Sequence, residues 1–148
     1  MRYACLVFYL LITLQPFRSA VAATLHMPTG AYEAALVDVI DGDTVRLRIR
    51  IWLDQDITTN VRVRGIDAAE LRASCVSEKK KALAARTYLE KLLRTAPVLY
   101  VRNIAQDKYG GRVVADLLTR DHQNIAQLML DRDYARHYDG GKRQGWCS

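Results

Sequence analysis

Val45, Leu47, Ile49 and Ile51 are separated one by one by Arg46, Arg48 and Arg50. That period of two predicts a strand with one face in a core and the other in water. A mixed apolar run from Tyr32 to Val39 precedes it as another extended segment and leads into the turn dipeptide Asp41-Gly42. Asp54 to Thr58 is polar enough for a second turn, after which Val61 and Val63 alternate with Arg62 and Arg64 until Gly65 breaks the pattern. The period then becomes that of a helix. Ser77 is placed to cap it, Glu78 suits its first turn, Ala82, Ala85, Leu89 and Leu92 share a face, and Pro97 follows its end near Arg94. Val98 to Ile104 and Arg112 to Leu118 read as two further strands, and Asn124 opens a shorter helix with Ile125, Leu128 and Met129 on one side. The stretch from Asp139 is irregular. Three strands, a helix, two strands and a helix predict an α+β, mainly β chain, a five-stranded barrel of the OB type with two or three helices.

The first two dozen residues obey a different pattern. Arg2 supplies a short positive start, Ala4 to Leu14 is an almost unbroken apolar run, and Ala20-Val21-Ala22-Ala23 offers the small residues that signal peptidase selects. Residues 1–23 are therefore expected to be a signal peptide cleaved after Ala22 or Ala23, with Cys5 lost alongside it, and residues 24–148 to be one domain. A membrane anchor is the competing reading, but this run falls short of the roughly twenty apolar residues a bilayer requires, and Gln15, Pro16 and Arg18 interrupt it. A periplasmic or secreted location follows, with no stable membrane association after signal removal.

The chain carries 22 Lys and Arg residues against 16 Asp and Glu residues. Setting aside Arg2 and Arg18 leaves a net charge near +4, which suits a polyanionic partner but is also common in exported proteins that bind nothing charged. About 125 residues fit one domain, and a monomer is expected. Cys75 and Cys147 survive processing, and in an oxidising compartment a disulfide between them is the simplest reading, with two free thiols or an intermolecular bridge as alternatives. No Cys or His pair has zinc-ligand spacing. His26, His122 and His137 are scattered and read as surface residues.

Chemistry enters through two constellations. Asp41 and Asp43 lie on a glycine-containing loop and Asp67 at the end of the third strand, where two carboxylates, a backbone carbonyl and water would make an open site for a hard cation. A plain turn explains Asp41-Gly42-Asp43-Thr44 equally well in isolation. Arg62 and Arg112 stand near these carboxylates on separate strands, and Glu70 follows Asp67 by three residues. Phosphodiester cleavage gathers charge on non-bridging oxygens, which guanidiniums and a cation stabilise, while a glutamate takes a proton from the attacking water. Solvated surface charge is the ordinary explanation for each residue alone. Arg46, Arg48 and Arg50, with Arg64 expected across from them, extend a basic track or form a solvated face.

Taken together, three ordered motifs resemble the thermonuclease, or staphylococcal nuclease-like, family: Ile40-Asp41-Gly42-Asp43-Thr44-Val45, Arg62-x-x-Gly65-Ile66-Asp67-x-x-Glu70, and Asp107-Lys108-Tyr109-Gly110 followed by Arg112. The likeness runs from about Ala34 to Trp146. It implies calcium bound by Asp43, Asp67 and the carbonyl of Ala68. It also implies phosphate contacts from Arg62 and Arg112, a general base in Glu70, and substrate contacts from Lys108, Tyr109 and Tyr138. The substrate would be DNA or RNA, hydrolysed to 3′-phosphate products. Three departures stand out: Ala69 replaces the usual proline before the glutamate, Gly110-Gly111 doubles a single glycine, and the end of the chain lacks the family's last helix, with a Cys75–Cys147 bridge expected in its place. The alternative class is a catalytically weak or inactive OB barrel that binds nucleic acid or protein.

Overall fold

A computed structural model describes residues 30–147; the expected leader and His26 lie outside them. Strand β1 (Tyr32–Val39) turns into β2 (Thr44–Trp52), which folds back as β3 (Gln55–Val63). A short strand β4 (Ile66–Asp67) precedes helix α1 (Val76–Thr95). Strands β5 (Leu99–Gln106) and β6 (Val113–Thr119), helix α2 (Ile125–Leu130) and a last short strand β7 (Arg136–His137) complete the order. The five long strands close into a barrel in the order β1-β2-β3-β6-β5. Closure runs through Tyr32↔Val101 to Ala34↔Leu99, and the β3–β6 pair is parallel, with Arg62 opposite Val114. This is the OB-type barrel that the hydrophobic pattern predicts.

The alternation on β2 sets the inside of the barrel. Val45, Leu47 and Ile49 are buried and meet Val61, Val63, Leu99, Val101, Ala115 and Leu117 from the other strands. Helix α1 closes one end with Ala85, Leu89 and Leu93, and α2 adds Ile125 and Met129. Tyr88 of α1 stacks on Tyr134 at 4.5 Å between ring centroids.

Several local expectations shift. The helix cap is Cys75 rather than Ser77: the backbone N–H of Glu78 donates to its sulfur at 3.4 Å. The deeply buried position of the last turn is Leu93, while Leu92 is only partly covered. Asp54 to Thr58 is not a turn. The reversal is confined to Leu53 and Asp54, the latter at φ 58°, and Asp56 lies within β3 opposite Arg50. The polarity there arises because this half of the hairpin projects beyond the barrel, where Ile51 is also exposed and Asp56 pairs with Arg48 and Arg50. Arg64 is not across from the arginines of β2, since the chain leaves β3 before it. Its guanidinium bonds the carbonyls of Asn103 and Val114 and pairs with Asp116.

Outside the barrel, β4 and β7 pair through Ile66↔His137 and Asp67↔Arg136. This small ribbon carries the chain after Tyr138 over the same barrel end that holds Asp43. Cys75 and Cys147 are bonded to each other, which anchors that segment to the start of α1. Trp146 is buried against Ala69 and Ala82.

Candidate active site

The loop between β1 and β2 is shaped by its own polar groups. The N–H groups of Ile40 and Asp41 donate to the Thr44 carbonyl, and the Asp41 carboxylate accepts the Asp43 N–H at 3.0 Å. Gly42 is required by space: a Cβ there would lie 2.7 Å from that of Ala68 and 2.8 Å from that of Ala85. Seating the loop this closely puts Asp43 under the barrel rim, only 2% exposed.

Asp43 is held from three sides. One carboxylate oxygen accepts Arg62 Nη1 and the Thr44 hydroxyl, each at 2.9 Å, and the other accepts the Ala68 N–H at 3.0 Å. Burial raises its pKa to about 6 and Asp41 adds to the rise, while Arg62 and the Ala68 N–H work against it. At neutral pH the carboxylate is charged.

Arg62, next to the last residue of β3, is buried although its neighbours Val61 and Val63 are the ones that enter the barrel core. Its Nη2 donates to the Ile66 carbonyl at 3.2 Å and to Asp67 at 3.4 Å, and its guanidinium lies 5.5 Å from the Tyr138 ring centroid. Asp67 is buried on β4 and also accepts the Trp146 ring N–H at 3.3 Å. Glu70 stands farther out, half exposed, on a bend closed by Ala73 N–H to the Glu70 carbonyl and by Glu70 N–H to the Glu78 carboxylate. Ala69 is buried between α1 and Trp146. Packing thus restrains the backbone where a proline ring would otherwise have done so.

The segment between β5 and β6 supplies the opposite wall. Asp107 N–H meets the Arg112 carbonyl, while Gly110 and Gly111 both take left-handed backbone angles, φ 69° and 67°. Successive positive φ values are easy for glycine alone, so the second glycine is absorbed as a wider turn. Arg112 then lies immediately before β6, with its Nε 2.5 Å from the Asp107 carboxylate. Burial pushes the Asp107 pKa up, but the Arg112 and Tyr109 N–H bonds and the charges of Arg112 and Arg62 outweigh it and leave the value below 3.8. A cleft of about 460 Å³ opens between these walls, bordered by Arg62, Lys108, Tyr109, Arg112, Tyr138 and Arg143. Tyr109 is the most exposed of its aromatic residues, and Lys108 reaches across to the Gly140 carbonyl at 2.9 Å.

Arg143 is the residue that the sequence pattern does not reveal. Its guanidinium pairs with the carboxylates of Asp67 and Glu70, donates to the Ala68 carbonyl at 3.1 Å and lies 3.8 Å from Asp43. Burial opposes its charge, yet Asp67, Glu70 and Asp43 together raise its pKa above that of an ordinary guanidinium. A positive group thus sits where two buried carboxylates, a third carboxylate and a carbonyl converge. All of these donors are hard oxygens, the set a calcium ion takes, so the residues fit such an ion. Cys75, Glu78 and Cys147 also lie together, but the two sulfurs are bonded to each other and do not form a metal set.

A family model described as staphylococcal nuclease homologue matches residues 60–145, more than half of the chain. The chain belongs to this staphylococcal nuclease homologue family. No curated protein matches it. The matched span contains Arg62, Asp67, Glu70, Asp107, Arg112, Tyr138 and Arg143, and Asp43 enters the same site from the preceding loop. Within this nuclease-like family's fold, the structure brings Asp43, Arg62, Asp67, Ala68 and Glu70 into one cluster. Lys108, Tyr109, Arg112 and Tyr138 line the adjoining cleft rather than the cluster itself. Trp146 and Arg143 were not marked by periodicity; the one sequence signal for them is their proximity to Cys147.

Proposed function

We propose that the protein is a periplasmic or secreted, calcium-dependent nuclease that hydrolyses phosphodiester bonds of DNA or RNA and leaves 3′-phosphate ends. The observation that carries this reading is the convergence of Asp43, Asp67, Glu70 and the Ala68 carbonyl on one cationic point beside a basic, tyrosine-bearing cleft. Asp43, Asp67 and the Ala68 carbonyl would hold the calcium ion, which when bound supplies positive charge to the phosphate oxygens. Glu70 accepts the proton of the attacking water from its half-exposed position at the rim. Asp107 takes Arg112 through Nε, leaving the terminal amino groups for a bidentate contact with phosphate. Arg62, whose terminal nitrogens already serve Asp43, Asp67 and the Ile66 carbonyl, contributes buried positive charge at the cleft floor. Tyr109, Tyr138 and Lys108 border the path of the strand. Export rests on the leader pattern of residues 1–23, and the protein acts as a monomer with nucleic acid as its partner.

The second reading is a catalytically weak or silent barrel that binds nucleic acid or protein, and the ion pairs of Arg143 with Asp67 and Glu70 favour it. Cleavage of DNA and RNA by the purified protein, beside Glu70→Gln and Arg62→Ala, separates the two. The nuclease reading expects calcium-supported cleavage in the parent chain and a loss of at least about a hundredfold in each variant. Equal rates in parent and variants would remove these residues from the chemistry, and no cleavage at all would leave only the binding module.

A further inference from the structure

Arg143 belongs to a segment fixed at both ends. On one side Tyr138 N–H donates to the Gly65 carbonyl at 3.0 Å, directly after β7 has paired with β4. On the other, Cys147 is bonded to Cys75, and Trp146 is wedged under Arg136, whose guanidinium lies 3.7 Å from its ring centroid. Between these anchors the Tyr138 hydroxyl donates to the Gly141 carbonyl, and Arg136 donates to that of Gly145. The segment therefore spans the mouth of the carboxylate cluster as a strap.

We infer that Arg143 is a tethered internal cation that competes with a divalent ion for the Asp43–Asp67 cluster and so sets the ion concentration at which the site fills; this rests on the reading of that cluster as a cation site. The guanidinium engages the very oxygens assigned to the ion: Asp67, the Ala68 carbonyl and, at 3.8 Å, Asp43. Two positive groups cannot share one set of oxygens in a poorly solvated pocket, because their repulsion grows as water is excluded. Occupancy is therefore exclusive. A tether as short as this keeps the competing charge at a local concentration in the millimolar range. The apparent affinity of the ion falls by the fraction of time that Arg143 is withdrawn. Withdrawal disturbs no core residue, since the Arg143 side chain is 36% exposed and belongs to neither hydrophobic cluster. When the ion enters, Arg143 is released at the edge of the cleft it already lines.

Terbium, a hard trivalent probe of calcium sites, tests this through luminescence sensitised by Trp146, whose ring N–H touches Asp67. The titrations are run in a Trp52→Phe background, because Trp52 is a 70% exposed residue at the hairpin tip and would otherwise contribute light. Calcium then displaces the terbium and gives the calcium affinity. The expected result is about tenfold tighter calcium binding in Arg143→Gln than in its Arg143-containing parent, with Arg143→Lys close to the parent because it keeps the charge. Thermal melting in chelator and in calcium accompanies each titration. Arg143→Gln should melt lower in chelator, where Asp67 keeps Arg62 and Trp146 but loses the Arg143 charge, and recover in calcium. Equal calcium affinities in parent and Arg143→Gln overturn the competition while leaving the cation site intact. Absence of sensitised terbium in both overturns the cation site itself, and the competition with it.

Discussion

Asp107 shows how a single carboxylate organises the far wall of the cleft. It accepts the Tyr109 N–H and the Arg112 Nε, so one buried group fixes both the turn and the arginine proposed to contact phosphate. Because its pKa is depressed in the folded protein, the stabilisation it gives is present at neutral pH and is lost as the pH falls below 3.8 toward the folded-state value. Asp107→Asn should therefore cost about 2 kcal/mol at pH 7. Denaturant unfolding at a series of pH values should show parent and variant converging in acid. Asp43, Arg62, Asp67 and Glu70 each read alone as a turn or as solvated charge, and only the ordered motifs that resemble the family single them out together. Arg143 is not singled out, because its partners lie as far as 75 residues away and its own neighbourhood has no period. Contacts of that range are set by the β4–β7 pairing and the disulfide, neither of which local patterning encodes.

At the level of elements, the alternating strands and both helices follow from hydrophobic period, whereas the parallel β3–β6 pairing does not, and the remaining differences fall at ends and turns. Asp56 and its neighbours are polar without forming the hairpin reversal, because a projecting two-stranded ribbon needs no buried face. The Ser77 hydroxyl suits a cap by residue type, but the bonded sulfur of Cys75 already accepts from Glu78. That bridge joins positions 72 residues apart and so ties the strap to α1. Chain-entropy reasoning gives it about 4 kcal/mol, most of it by restricting the unfolded chain. Cys147→Ser should lower the unfolding free energy by an amount of that order in urea titrations. A near-zero change would mean that Trp146 packing and the ribbon hold the segment without the bond.

For the molecule as a whole, a closed barrel leaves its five long strands with paired neighbours and concentrates the unusual features at one end, where loop, ribbon and strap meet. Buried carboxylates lie beneath a basic cleft there, and the described residues contain no helix long and apolar enough to cross a membrane. The chain belongs to a nuclease-like family and has its OB-type fold, and the convergence of oxygens on one cationic point is what supports the proposed calcium dependence. The most direct measurement is the initial rate of DNA and RNA cleavage by the purified protein across a calcium titration, with chelator added and then overcome by excess calcium. A calcium-dependent nuclease gives a rate that rises to saturation with calcium, vanishes in chelator and returns on re-addition, with the saturation lost in Asp67→Asn. A rate indifferent to calcium and chelator alike would contradict the proposed calcium dependence.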